Sequence, residues 1–122
     1  MTPSQPIACS LTSPELRQRL DHLRTTLFAE TRALQEDASG FTFRFENTDA
    51  HVDALMEVVR LERQCCPFLH FQIDIAPEPA TLSLHLGGAD GARAFILSTF
   101  VPLTRVPGDG QNIANDRPEG FL

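Results

Sequence analysis

Phe68-Leu69-His70-Phe71-Gln72-Ile73-Asp74-Ile75, then Ala76-Pro77-Glu78-Pro79, then Thr81-Leu82-Ser83-Leu84-His85-Leu86 is the stretch that decides the fold. Successive side chains of a strand point to opposite faces. In the first run Leu69, Phe71, Ile73 and Ile75 therefore share one side, and His70, Gln72 and Asp74 share the other. The second run alternates in the same way, and the proline-rich piece between them reads as a turn. An antiparallel pairing that sets Ile73 opposite Leu82 sets Phe71 opposite Leu84 and His70 opposite His85, which leaves both apolar sets on one face. A hairpin with one greasy and one polar face needs helices to cover the greasy one.

The flanking sequence supplies them. Phe41-Thr42-Phe43-Arg44-Phe45 is a third alternating run with three Phe on one side. Upstream of it, Thr12 or Ser13 caps a helix whose first turn holds Pro14 and Glu15. Leu16, Leu20, Leu23, Leu27 and Leu34 recur on one face of that helix, which is expected to run to about Gln35. Arg17, Arg24 and Glu30 fall elsewhere on it. Asn47-Thr48-Asp49 caps a second helix, expected over about Ala50 to Gln64, with Val52, Leu55, Met56 and Val59 at helical spacing. Pro67 stops it and pushes Cys66 out of the helical region, which puts Cys65 in the last turn. Asp90 opens a third helix carrying Ala92, Phe95, Ile96 and Phe100, limited by Pro102.

The expected class is α+β in the order α-β-α-β-β-α, with a small three-stranded, largely antiparallel sheet and the helices on one face. One domain, residues 1–105, accounts for a chain of 122 residues, because a second core would leave each half near the limit of independent folding. Residues 106–122 are rich in Gly, Pro, Asn and Asp and read as a C-terminal tail. Hydrophobic residues make up 42% of the chain and nine are Phe, which is ample core material.

Charge and hydropathy exclude other classes. Sixteen acidic residues against ten basic give a net charge of −6, and the basic residues are all Arg and dispersed. Counterion displacement from a nucleic acid needs a basic stripe, so no direct nucleic-acid partner is expected. An anionic membrane is disfavoured on the same grounds. No apolar run approaches the roughly 20 residues of a membrane span, and the Met1-Thr2-Pro3-Ser4-Gln5-Pro6 start lacks a signal region, so a cytoplasmic location is expected. A nucleophile elbow and a phosphate-cradling glycine loop are both missing from the sequence. The exposed polar face of the sheet, or the apolar Phe121-Leu122 end, suggests a homodimer.

The chemical lead is the cysteines. Three of them in a reducing compartment do not make a disulfide framework. Cys65-Cys66 offers two adjacent soft ligands at a helix end, with Cys9 and His70 as completions. Read alone, the same residues also fit buried thiols that act as small hydrophobes.

Ile7-Ala8-Cys9-Ser10-Leu11 and Leu61-Glu62-Arg63-Gln64-Cys65-Cys66-Pro67-Phe68-Leu69-His70-Phe71 together resemble an uncharacterised bacterial domain with the motifs I-A-C-x-L and E-x-x-C-C-x-F-x-x-F. That domain is found free-standing or attached to mercury-regulator (MerR) type transcription factors. The resemblance spans about residues 7–100 and implies that Cys9, Cys65 and Cys66 belong to one constellation. It brings no established reaction. No helix-turn-helix segment is present, so a DNA-binding role does not carry over.

Three sulfurs suit a trigonal soft ion such as Hg(II) or As(III), and with His70 they satisfy tetrahedral Zn(II). Glu62, three residues before Cys65 on the same helix face, reads either as an extra ligand or as a solvated carboxylate. The helix C-terminus carries partial negative charge, which disfavours a thiolate at Cys65 unless a cation compensates, and Arg63 is the nearest candidate in sequence. Three functional classes stay open: a soft-metal or metalloid module acting as buffer, sensor or carrier, a cysteine-dependent redox or transferase-like enzyme with His70 as base, and an interaction domain with inert buried thiols.

Overall fold

Ser13 and Thr48 act as the N-caps of the two long helices. In the computed structural model, which describes residues 12–77 and 80–105, Ser13 Oγ accepts from Leu16 N–H at the start of α1 (Pro14–Phe28), and Thr48 Oγ1 accepts from His51 N–H at the start of α2 (Asp49–Cys65). Between the helices lie β1 (Ala33–Asp37) and β2 (Gly40–Glu46). After α2 come β3 (Leu69–Ala76), β4 (Thr81–Gly88), α3 (Ala92–Thr99) and a short 3₁₀ turn, Val101–Leu103. The four strands form one antiparallel sheet in the order β1-β2-β4-β3. The expected α+β class holds. The sheet, however, has a fourth strand that the helical reading of residues 29–35 concealed.

That strand is β1. Helix α1 ends at Phe28, where Thr31 Oγ1 donates to the Phe28 carbonyl at 2.8 Å. Ala33-Leu34-Gln35-Glu36-Asp37 has good helix formers, yet it pairs with β2, setting Leu34 opposite Phe43. The hairpin turn explains the outcome. Asp37 Oδ1 accepts from Ser39 N–H at 2.8 Å and Gly40 N–H at 3.1 Å, an Asx turn that reverses the chain within two residues. Gly40 sits at φ 147°, and a Cβ there would lie 2.0 Å from the Leu86 carbonyl oxygen of β4. Only glycine fits this position.

The β3–β4 register is displaced by two residues from the expected one, with Ile73 opposite Leu84, Phe71 opposite Leu86 and Ala76 opposite Thr81. The shift is even, so both apolar sets stay on one face. Its cause lies in the turn, because Pro77 and Pro79 have no N–H to give a ladder and pairing begins outside them.

The core fills the space between that face and the helices. Phe43, Phe45, Leu82 and Leu84 are buried from the sheet, and Leu20, Leu27, Leu55 and Val58 from α1 and α2. Phe28 is a hub, in edge-on contact with Phe43 at 5.0 Å and tilted against Phe100 at 5.2 Å. Two ion pairs tie α1 to α2, Arg19 to Glu57 and Arg24 to Glu62. Both join residues 38 apart, so the helices run side by side in the same direction. Among the described residues no helix is long and apolar enough to cross a membrane. The proposed tail, 106–122, lies outside the described residues.

Candidate thiol and carboxylate site

The C-terminal turn of α2 carries Glu62, Cys65 and Cys66. Val58, Leu61 and Cys65 lie on its buried side, and a step of three or four residues brings Glu62 to that side as well. Cys66 leaves the helix at φ −126° and ψ 71°, as a residue before proline must, which swings its side chain inward. Both cysteines are fully buried, and Glu62 is 1% exposed. The solvated-carboxylate reading of Glu62 therefore fails.

A buried carboxylate needs a partner, and the partner comes from α1. Arg24 Nε donates to Glu62 Oε2 at 2.6 Å, and Arg24 Nη2 donates to Oε1 at 2.8 Å. This is a two-pronged, charge-assisted contact. The same Nη2 lies 3.8 Å from each of Cys65 Sγ and Cys66 Sγ. The guanidinium stacks 5.1 Å from the Phe100 ring centroid, so an aromatic wall closes the far side. Burial pulls the Arg24 pKa down, but the Glu62 hydrogen bonds and charge outweigh it and hold the guanidinium above its ordinary value. Arg24, and not Arg63, is thus the cation that offsets the C-terminal dipole of α2. Its sequence signal was its place four residues after Leu20 and three before Leu27, at the border of the apolar stripe.

The sulfur chemistry is uneven. Burial, then the neighbouring Glu62 charge, push the Cys66 thiol up to about 12 against the opposing pull of Arg24. At neutral pH it is a protonated thiol that donates to Glu62 Oε1 at 3.6 Å. Cys65 is disulfide-bonded, while Cys66 is free, which excludes a bond between the neighbours and also departs from the expectation of reduced thiols throughout.

Glu62, Cys65 and Cys66 place one ligand atom each within 4.8 Å of one another, so with Cys65 reduced to a thiol this group could hold a metal ion. Two bonds of about 2.3 Å across one ion span nearly that distance. His70 is not in the group. It stands exposed on β3 opposite Gly87, on the side of Gln72 and Asp74, whereas the sulfurs are buried beneath the helices. Nor does it face His85. The two-residue register shift puts His85 opposite Gln72 and Thr42, where its ring nitrogens meet Ser39 Oγ at 3.1 Å and Thr42 Oγ1 at 2.8 Å. Cys9 lies outside the described residues.

Compared with family models, curated proteins and solved structures, the chain finds no match in any of the three.

Proposed function

We propose that the reduced protein is a thiol-based binding module for a soft metal or metalloid ion, acting as buffer, sensor or carrier. The observation that supports this is the buried convergence of one carboxylate and two adjacent sulfurs on the end of α2. A hydrophobe-only role for the cysteines leaves that convergence, and the buried charge it demands, without a reason.

Charge balance bears on the ion. Glu62 and two thiolates carry three negative charges, and Arg24 returns one, so a divalent soft ion leaves the buried site neutral. With Cys9 as a third thiolate in place of Glu62, the Glu62–Arg24 pair stays intact and three thiolates neutralise a trivalent ion such as As(III). The disulfide at Cys65 sets a condition on either mode. An external dithiol must first supply two electrons and take up the oxidation, leaving Cys65 as a thiol.

The disulfide also favours the second reading, a redox enzyme. Against that reading stands Cys66, whose proton is held to about pH 12 and which makes a poor nucleophile at neutral pH.

Titration of the reduced protein with Cd(II) and with arsenite, followed by thiolate charge-transfer absorption, separates these cases. Saturable uptake of one equivalent that is lost in both Cys65→Ser and Cys66→Ser supports the module. Retention of Cd(II) but loss of arsenite in Cys9→Ser assigns the divalent mode to Glu62. Absence of uptake by the reduced protein overturns the proposal.

A further inference from the structure

The two edges of the sheet are built differently. Edge strand β1 is five residues long, carries exposed Glu36 and Asp37, and has Arg93 donating to the Glu36 carboxylate and to the Asp37 and Ala38 carbonyls. Charge and a capping guanidinium are the usual devices that stop an edge from recruiting another strand. Edge strand β3 is guarded less: among the described residues no guanidinium caps it, and Asp74 is its one carboxylate. It is eight residues long, contains no Lys, Arg or Pro, leaves Ile75 53% exposed and Phe71 and Ile73 only half-buried. Leu69 N–H is spent on the Cys66 carbonyl at 3.0 Å and not on β4. Alternation then turns the N–H groups of Phe71, Ile73 and Ile75 outward, away from β4.

We infer that β3 pairs antiparallel with β3 of a second copy of this chain about a two-fold axis at Gln72, joining the two sheets into one. The sequence of the strand selects this register. Centred on Gln72, Phe71 faces the partner's Ile73, Leu69 faces the partner's Ile75, and His70 faces the partner's Asp74, each twice by symmetry. Every apolar residue meets an apolar one, and each imidazole has a carboxylate opposite. A centre at Ile73 sets His70 against Ala76 and Asp74 against Gln72, which wastes both polar pairs. A centre at Asp74 sets the two Asp74 carboxylates against each other, which is repulsive. The strand is thus self-complementary in one register. The inference is independent of the thiol site, which lies beneath the helices and not on this edge.

Sedimentation equilibrium of the metal-free protein tests it. The wild type should associate to a dimer. His70→Asp, a change at an exposed position, replaces two attractive cross-strand pairs by two repulsive ones and should raise the dimer Kd about tenfold. The exchanged variant His70→Asp/Asp74→His restores the opposition and should recover dimerisation. Amide hydrogen exchange gives a second readout, with protection at Phe71, Ile73 and Ile75 rising with protein concentration. A wild-type chain that stays monomeric at several hundred micromolar, a dimer indifferent to His70→Asp, or an exchanged variant no better than the single one would each overturn the inference.

Discussion

Removing Arg24 should cost far more than removing the charge of Glu62, although the two form a single contact. In Arg24→Met the carboxylate of Glu62 is left 1% exposed, stripped of both its short hydrogen bonds and facing two sulfurs. An unpaired buried charge of this kind costs about 3–5 kcal/mol. In Glu62→Gln the amide oxygen still accepts from Arg24, and the guanidinium, whose side chain is 14% exposed, reaches water at the rim. The loss there should be about 1–2 kcal/mol. The double variant Arg24→Met/Glu62→Leu replaces the pair by apolar side chains of similar length and should regain most of what Arg24→Met loses. Urea unfolding of the metal-free protein, with midpoints compared at equal slope, measures all three. Equal losses in the two single variants, or an Arg24→Met loss below about 1 kcal/mol, would refute the reasoning that burial of Glu62 governs this contact.

Other outcomes follow from the same structure. Phe43→Ala removes a fully buried ring from the Phe28 cluster and should lower stability by about 3–5 kcal/mol in the same urea assay. Gly40→Ala should destabilise the β1–β2 hairpin by more than the ~1 kcal/mol of an ordinary glycine replacement, since the added methyl meets the Leu86 carbonyl, and a wild-type melting temperature would contradict the hairpin geometry. The alkaline limb of stability belongs to cysteine, because the chain has no Tyr and every basic residue is Arg. Cys66 keeps its proton to about 12 when folded and loses it near its ordinary value of 9.0 when unfolded, so its contribution is complete below pH 9 and falls as pH rises toward 12. Stability measured from pH 8 to 11 should decline, and Cys66→Ala should flatten that decline. A wild-type profile as flat as that of the variant would contradict it.

Much of the fold could be read from the sequence because alternation and helical spacing report burial directly. Phe41-Thr42-Phe43 and Phe71-Gln72-Ile73 name the face that the helices cover, and Thr48 and Pro67 bound α2 within a residue or two. Leu34 misled because its spacing from Leu27 fits a helix, while the competing interaction, pairing with Phe43, is nonlocal and leaves no periodic trace. The site was legible in part. The vicinal cysteines mark the end of α2, but the burial of Glu62 depends on Arg24 arriving from α1, a contact across 38 residues. His70 was drawn into the site by its nearness to Cys66 along the chain, and strand alternation then placed it on the opposite face.

The most direct test of the central claim is metal content after equilibrium dialysis of the fully reduced protein against Cd(II), read by elemental analysis beside Cys66→Ser and Glu62→Gln. The site described above requires one tightly held equivalent in the wild type, none in Cys66→Ser, and weakened retention in Glu62→Gln, where a neutral amide stands in place of the third anionic donor. Wild-type protein that emerges metal-free, or a Cys66→Ser variant that retains a full equivalent, would contradict the claim that these buried groups form a metal site.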